Sequence, residues 1–259
     1  MQPTLNDLIE MARMAGEIVR QGYGKQHDVQ LKGEIDLVTE IDRRSEEFLL
    51  GALDERFPGQ HVIAEESGLR AGVGQQRWIV DPLDGTVNYA HGIPFFSVSI
   101  AFAVGDVLTL GVVYDPMRDE CFSAARGQGA WLNGTPLKVT AVPELGQSLL
   151  VTGFYYDSWR NPENNLDNFA RLTLRTQGVR RLGSAALDLC YLAAGRFDGY
   201  WELRLGAWHM AAGVVIAQEA GALVTSARGE PDYFKPPYSV LAANPVLHAK
   251  ILAVLQGQD

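Results

Sequence analysis

The stretch WIVDPLDGTVNYAHG, residues 78–92, places Asp81 and Asp84 on either side of a Pro-Leu pair, directly after a short apolar run. Asp, Pro, Gly and Asn are common turn formers, so D-P-L-D-G is typical of a strand end whose carboxylates face water. A functional interpretation needs partners for the two acids elsewhere in the chain.

Acids occupy corresponding positions in the preceding segments. Glu65 follows the predicted strand HVIA, as Asp81 follows RWIV, and Asp42 falls in or near the first turn of a predicted helix. Adjacent strands would bring Glu65, Asp81 and Asp84 to one edge of a sheet, where open α/β sheets hold ligands. Glu66 is an alternative to Glu65, but neighbours on an extended chain face opposite ways, so we expect one of them to serve.

Composition indicates an ordinary folded protein. The chain has 259 residues, of which 47% are hydrophobic and 20% charged, and 22 Lys and Arg against 31 Asp and Glu give a formal net charge of −9. No basic face indicates a nucleic-acid partner. The N-terminus follows a helical rather than a signal-peptide pattern, and no apolar run approaches the roughly 18 residues of a membrane span. We predict a cytoplasmic protein with Cys121 and Cys190 reduced in the core.

The order of predicted elements divides the chain into two halves. Residues 1–142 carry two helices and then strands with tight turns, including an Asn-Gly hairpin signal in WLNGTPLKV, which predicts antiparallel sheet. Residues 143–259 alternate strand and helix, with one helix predicted to start near Asn161-Pro162. This rhythm predicts a second α/β unit packed on the first. Lys32 and Asp36 fit a mobile site loop and a solvated hairpin equally well.

An acidic cluster of this kind repels itself unless a cation lies between the carboxylates. Oxygen ligands without nearby Cys favour Mg²⁺, with Mn²⁺ as the alternative, and Mg²⁺ typically binds through carboxylates plus substrate phosphate. Gly85, Thr86 and Val87 would present backbone N–H groups to an anion at the start of a short helix. The pattern therefore predicts metal-assisted hydrolysis of a phosphate ester.

The whole stretch WIVDPLDGTVNYAHGIPFFSVSIAF resembles the metal-binding signature of the inositol monophosphatase family. VIAEESG, DLVTEID and WHMAAGVVIAQEAGA fall in the order and spacing of the other motifs of that family. The resemblance implies an α/β layered sandwich of alternating helix and sheet layers, similar to inositol monophosphatase and fructose-1,6-bisphosphatase. It also implies a homodimer.

The resemblance assigns roles to particular residues. Glu65, Asp81 and the backbone carbonyl of Leu83 would hold a first metal, and Asp81 with Asp84 a second. Asp42 and Thr86 would activate the attacking water, with Glu65 beside them in the catalytic group. Asp42 has a simpler interpretation as an acid favoured by the helix dipole.

The substrate contacts implied by the resemblance lie mostly in the second half of the chain. Glu202 would accept a hydrogen bond from a substrate hydroxyl, and Gly183, Ser184 and Ala185 would contact the same ring, while Gly85 and Thr86 would contact the phosphate. Tyr200, Trp201 and Trp208 are interpreted as core aromatics.

One position departs from the family pattern. The family reads Trp-Asp where this chain reads Trp208-His209, and the Asp would complete the second metal site. Imidazole binds divalent metals as a neutral ligand and prefers softer ions than Mg²⁺. We therefore expect His209 to replace the carboxylate in a weakened second site.

The function implied is a Mg²⁺-dependent phosphatase acting on a small polyol phosphate, foremost myo-inositol 1-phosphate, by in-line attack of water. Histidinol phosphate, fructose 1,6-bisphosphate and a nucleotide 3′-phosphate are alternative substrates of the same chemistry. A weakly active or non-catalytic regulatory protein on this fold is an alternative of another class. Neither a nucleic acid nor a membrane is expected as a partner.

Overall fold

The computed structural model describes residues 2–25, 29–31, 37–156, 158 and 160–258. Lys32 and Asp36, for which two interpretations were open, lie outside these described residues. Within the described part, no helix is long and apolar enough to cross a membrane.

Seven α-helices lie in the described residues: α1 (Leu5–Gly22), α2 (Glu40–Arg56), α3 (Thr86–Ala90), α4 (Leu166–Thr173), α5 (Ala185–Ala193), α6 (Ala207–Glu219) and α7 (Pro245–Leu255). The first two begin with the same device, in which the N-cap Thr4 or Thr39 is bridged to the Asp three residues later. Such a capping box satisfies backbone N–H groups that have no partner within the helix. The opening helix predicted from apolar spacing is confirmed, since its Leu8, Ala12 and Val19 side chains are buried.

Two short strands, β1 (Val29–Leu31) and β2 (Leu37–Thr39), pair antiparallel with each other before the first large sheet. The first large sheet consists of β3 (His61–Ala64), β4 (Gly68–Arg70), β5 (Gln76–Asp84), β6 (Ser97–Val104), β7 (Val107–Asp115), β8 (Glu120–Ala125), β9 (Gly129–Leu132) and β10 (Thr135–Pro136). Its spatial order is β10-β9-β8-β7-β6-β5-β3-β4. Only β3 and β5 pair parallel among these neighbours, so the predicted antiparallel sheet is confirmed for the rest. The predicted hairpin turns at Asn133 and Gly134, whose φ angles of 48° and 83° are typical of a type I′ turn.

The second sheet consists of β11 (Leu149–Thr152), β12 (Gly178–Arg180), β13 (Gly199–Leu205), β14 (Leu223–Thr225) and β15 (Tyr238–Ala243). Its order is β12-β11-β13-β15-β14, with β11 parallel to both of its neighbours and β15 antiparallel to both of its own. A short 3₁₀ helix, Leu145–Gln147, leads into it.

Side-chain packing arranges these elements in alternating layers. Along β5, Trp78 and Val80 pack with α1 and α2, whereas Ile79 between them packs with α5 and α6. Along β13, Tyr200 faces the α5 and α6 layer, while Trp201 packs with α4 and α7. The order is therefore helices, sheet, helices, sheet, helices, which confirms the predicted layered α/β fold.

The central helices lie very close to the first sheet. A Cβ on Gly111 of β7 would lie 2.6 Å from the carbonyl oxygen of Ala212 in α6, so only glycine permits this approach. Cys121 and Cys190 are buried free thiols, as predicted.

Two predicted boundaries are wrong. The helix expected near Asn161-Pro162 begins at Leu166, because the side chains of Asn161 and Asn164 accept hydrogen bonds from backbone N–H groups two residues on and hold the chain in turns. Strand β5 does not end at Asp81 but continues to Asp84, with a register shift against β6 between the two acids.

Candidate metal centre and active site

The parallel pair β3 and β5 brings the first two acids together. Ala64 pairs with Val80, so Glu65, which directly follows β3, and Asp81, the next residue of β5, lie side by side. Asp81 is completely buried. The sequence-based expectation that adjacent strands bring their acids together is confirmed for these two residues.

The Asp81 carboxyl lies in an environment that disfavours its charge. Oδ1 accepts a 3.1 Å hydrogen bond from the backbone N–H of Leu83, but the buried Oδ2 has no hydrogen-bond partner among the described residues. Burial, followed by repulsion from Glu65 and Asp84, raises the pKa of Asp81 well above its usual value. A cation beside Oδ2 would remove this cost.

Asp84 connects the first half of the chain to α5. Its Oδ2 accepts hydrogen bonds from the Ser184 hydroxyl at 2.5 Å and from the backbone N–H of Ala186 at 2.8 Å. Burial raises the pKa of Asp84, while His209 and the two hydrogen bonds act in the opposite direction. Ser184 is also the N-cap of α5, so one hydroxyl both caps a helix and orients a candidate ligand.

Asp42 is held from two sides. Its Oδ2 accepts hydrogen bonds from the backbone N–H and hydroxyl of Thr39, at 2.9 and 2.6 Å, as part of the α2 capping box. Its Oδ1 accepts a 2.9 Å hydrogen bond from the Thr86 hydroxyl, which also lies 3.1 Å from the carbonyl oxygen of Leu83. The structure thus brings together the predicted water-activating pair and the predicted carbonyl ligand.

Gly85 permits the turn from β5 into α3. Its φ of 100° lies in the left-handed region, and a Cβ there would lie 3.0 Å from the carbonyl oxygen of Phe95. The turn leaves the Thr86 and Val87 amides in the first turn of α3, where N–H groups have no partner within the helix.

His209 lies three residues after the N-cap of α6, with its Nε2 3.9 Å from Asp81 Oδ2. The backbone N–H of Gly206 points at its Nδ1 from 3.2 Å, and the indole N–H of Trp208 points at its Nε2 from 2.9 Å. A neutral imidazole has one proton and can accept at only one nitrogen, so these donors compete. Ligation through Nε2 would displace the Trp208 bond and put the ring proton on Nδ1, against Gly206.

Glu65, Asp81 and His209 form a group able to hold a metal ion, since one ligand atom from each lies within 4.8 Å of the others. The group joins His209 to Glu65 and Asp81 rather than to the predicted Asp84. Of the two adjacent glutamates, Glu65 is the one in the group, and the backbone N–H of Glu66 is bound by Glu46 at 2.9 Å. Two carboxylates, one of which carries the unpartnered buried oxygen Asp81 Oδ2, and one imidazole fit a divalent cation.

A cavity of about 80 Å³ opens beside this group and is lined from both halves of the chain. The predicted substrate residues Gly183, Ser184, Ala185 and Glu202 line it together with Gly85 and Thr86. Asn88 holds the two walls together, because its Nδ2 donates to the carbonyl oxygens of Phe95 and Leu182, each at 2.8 Å.

Glu202 is buried in the wall of this cavity, and the Tyr200 hydroxyl donates to its Oε2 at 2.7 Å. Burial raises the pKa of Glu202 to about 7, against the lowering effect of the Tyr200 hydrogen bond. A Cβ on Gly153 would lie only 2.1 Å from Glu202 Oε2, so a side chain at residue 153 would displace the Glu202 carboxylate. Tyr200 and Trp201 are fully buried, as predicted. Trp208 is only half-buried, and its indole N–H donates to His209 Nε2.

The family follows from comparison with known proteins. The model of the inositol monophosphatase family matches residues 1–259. This chain belongs to the inositol monophosphatase family.

Members of the family similar to this chain have two kinds of name. An inositol-1-monophosphatase from Synechocystis is 46% identical over 228 residues, which cover 87% of this chain and 79% of that protein. The Nus factor SuhB of Pasteurella multocida is 42% identical over 259 residues, covering 99% and 97% of the two chains. The solved inositol monophosphatase of Anabaena superposes with a TM-score of 0.88 at 42% identity, covering 98% of this chain and 95% of that one.

The structure adds cavity residues that inspection of the family motifs missed. Asp188 in α5 is buried with no partner for its Oδ1 among the described residues, and burial followed by repulsion from Glu202 raises its pKa well above the usual value. Arg181 and Arg204 contribute positive charge to the same cavity. Asp188 occupies an otherwise apolar helix, AALDLCYLA, and an isolated acid there was the available signal.

Proposed function

We propose that the protein is a Mg²⁺-dependent phosphomonoesterase acting on a small polyol phosphate, with myo-inositol 1-phosphate as the leading substrate. The observation that carries the proposal is the group of Glu65, Asp81 and His209 beside the Thr86–Asp42 hydrogen bond. Membership of the inositol monophosphatase family supports phosphatase chemistry.

The residues of the site suit the binding of one or two divalent cations. Glu65, Asp81 and the Leu83 carbonyl would hold the first, with His209 able to join Glu65 and Asp81, and Asp81 with Asp84 would hold the second. When bound, Mg²⁺ supplies positive charge that polarises the phosphate and makes a nearby water more acidic. Mn²⁺ is the alternative ion, because imidazole favours softer metals.

Thr86 and Asp42 would move the proton of the attacking water. Thr86 Oγ1 has a single proton, and when it donates this proton to Asp42 its lone pairs remain able to accept a hydrogen bond from water. As water attacks phosphorus in line with the leaving oxygen, the bond between phosphorus and that oxygen breaks, and the leaving oxygen takes up a proton from solvent water. The proton of the attacking water passes to Thr86, and the Thr86 proton passes to Asp42. No side chain becomes phosphorylated in this scheme.

Glu202 and the backbone of Gly183, Ser184 and Ala185 would orient the polyol. A buried carboxylate accepts hydrogen bonds from hydroxyl groups and loses this partner when the substrate lacks them. Histidinol phosphate, fructose 1,6-bisphosphate and a nucleotide 3′-phosphate remain alternative substrates, since the metal residues do not contact the leaving group. We also predict a cytoplasmic homodimer.

A second candidate function is a regulatory binding protein with little or no turnover. Two observations favour it: a similar relative is named Nus factor SuhB, and ligation of a metal through His209 Nε2 would displace the Trp208 hydrogen bond and put the ring proton against Gly206. A carboxylate at this position would have no such conflict.

Release of inorganic phosphate from the four esters, with Mg²⁺ or Mn²⁺ added to chelator-treated protein, tests the proposal. Glu65→Gln should abolish release, whereas Glu66→Gln, one residue along, should retain it. Absence of release from every ester with both metals would reject the phosphatase and favour the regulatory protein.

A further inference from the structure

Arg204 has a backbone conformation that is unusual for its residue type. Its φ of 61° lies in the left-handed region, which non-glycine residues rarely adopt. It is the extra residue of a bulge in β13, where the register with β15 shifts between Leu203 and Leu205. Bulges next to active sites re-aim side chains, and strained residues cluster at such sites.

The bulge places the Arg204 side chain at the end of the active-site cavity. Its guanidinium carbon lies 4.8 Å from the centre of the Tyr155 ring, within cation–π distance. Among the described residues, Arg204 alone lines both the active-site cavity and a second cavity of about 690 Å³ on the surface of the C-terminal half. Arg204 therefore lies between the two cavities.

Both signs of charge line the active-site cavity. Glu65, Asp84, Asp188 and Glu202 line it together with Arg181 and Arg204. The charge of Arg181 acts to lower the pKa of Asp188 and of Glu202, whereas Arg204 lies beside Tyr155. A guanidinium binds carboxylate and phosphate oxygens in pairs, and a neutral hydroxyl gives it a weaker partner.

We propose that Arg204 provides a contact for a second oxyanion on the leaving group, either a carboxylate or another phosphate, and so favours phosphate monoesters that carry one. This inference rests on the proposed phosphatase function and adds a preference within it, since myo-inositol 1-phosphate has no second oxyanion and binds without this contact. The ester phosphate lies at the metal end, and the second oxyanion contacts Arg204 beside Tyr155. The left-handed backbone conformation of Arg204 is energetically unfavourable, and the contact with the second oxyanion gives a functional reason for it.

The test compares matched ester pairs that differ in the second anion. Glycerol 2-phosphate is paired with 2-phosphoglycerate for the carboxylate, and fructose 1-phosphate with fructose 1,6-bisphosphate for the phosphate. The anionic member of at least one pair should have the higher kcat/KM, and the preferred pair identifies the group. Arg204→Gln should lower this ratio about tenfold, equivalent to the loss of one charge-assisted contact. Arg70→Gln, an exposed arginine paired with Asp54, should leave it unchanged.

Stability separates a selective role from a structural one. Arg204→Gly relieves the left-handed strain, so it should raise the melting temperature while lowering the ratio. A lower melting temperature with an unchanged ratio would overturn the proposal, as would an equal loss of kcat/KM for all four esters. Hydrolysis of myo-inositol 1-phosphate is measured in parallel, so failure of the phosphatase function is recognised separately. Calorimetric titration of the same pairs in Ca²⁺ measures selectivity of binding even without turnover, and equal affinities within both pairs would also overturn it.

Discussion

Thr86 donates a 2.9 Å hydrogen bond to Asp42, although 44 residues separate them in the chain. The other carboxylate oxygen of Asp42 is bound by Thr39, so the acceptor is fixed by the start of α2 and the donor by the start of α3. Thr86→Ala should therefore lower kcat about 10²- to 10⁴-fold, the usual contribution of a positioned proton acceptor. Metal affinity, measured by calorimetry, should change little.

Thr86→Ser is the matched control, because it keeps the hydroxyl and should retain most of the activity. A Thr86→Ala variant that loses metal affinity but keeps kcat at saturating metal would contradict the assignment.

Asp81→Asn should stabilise the metal-free protein and remove its response to Mg²⁺. The raised pKa of Asp81 means that its stability contribution is complete below the unfolded-state pKa of about 3.9 and is lost as pH rises through the folded-state pKa. At neutral pH the carboxylate is a cost, and the amide should recover about 1 kcal/mol. Thermal unfolding with chelator and with Mg²⁺ measures both effects. The stability of both proteins is also compared between pH 4 and pH 7 without metal. If the wild-type protein gains stability over this range and Asp81→Asn gains the same amount, Asp81 is not the cause and the explanation is wrong.

Glu202 should make the recognition of a polyol phosphate depend on pH. Its pKa of about 7 means that the carboxylate that accepts substrate hydroxyls is protonated as pH falls below 7, so KM for myo-inositol 1-phosphate should rise there. Glu202→Gln should have a raised KM that lacks this pH step. The same profile with p-nitrophenyl phosphate, which has no polyol, is the control, and an identical pH step with that ester would assign the effect elsewhere.

Gly153→Ala should disturb Glu202 without touching a metal residue. The added Cβ would lie 2.1 Å from Glu202 Oε2 and must push the carboxylate out of position. We expect a several-fold higher KM for the polyol phosphate with kcat for p-nitrophenyl phosphate retained. Gly51→Ala tests general intolerance to changed glycines, since Gly51, like Gly153, has no positive φ, but no atom lies within 4 Å of its added Cβ. Equal effects of the two substitutions on KM would argue against a steric effect on Glu202.

His209→Asp should lower the Mg²⁺ concentration needed for half-maximal activity, because a carboxylate adds charge and needs no proton rearrangement. Calorimetric Mg²⁺ affinity should rise in parallel. In the wild type, ligation by His209 displaces the Trp208 indole bond, so Mn²⁺ binding should change tryptophan fluorescence, and Trp208→Phe should abolish that change. Unchanged or weaker Mg²⁺ binding by His209→Asp would show that the site has been rebuilt around the histidine.

The local pattern of the chain was sufficient to predict much of the fold and the proximity of two acids in the candidate site. Glu65 and Asp81 each follow a short apolar strand, and parallel pairing of those strands must bring the next residues together. Asp42 was predicted in or near the first turn of a helix, and the structure places it three residues after the N-cap Thr39. Each of these inferences depends on strand ends or helix starts, which are encoded within a few neighbouring residues.

Tertiary structure alone decided how these elements meet. Three contacts of the site depend on where side chains lie in space, which the sequence does not show. The Ser184 hydroxyl orients Asp84, the Trp208 indole binds the His209 nitrogen that a metal would need, and the absence of a side chain at Gly153 leaves space for Glu202. The left-handed conformation of Arg204 likewise accompanies a register shift between two strands, and the neighbouring residues in the sequence do not predict that shift. Hydrogen bonds and steric exclusion act over about 3 Å in space, whereas the periodicity of a sequence reports only which residues are neighbours along one element.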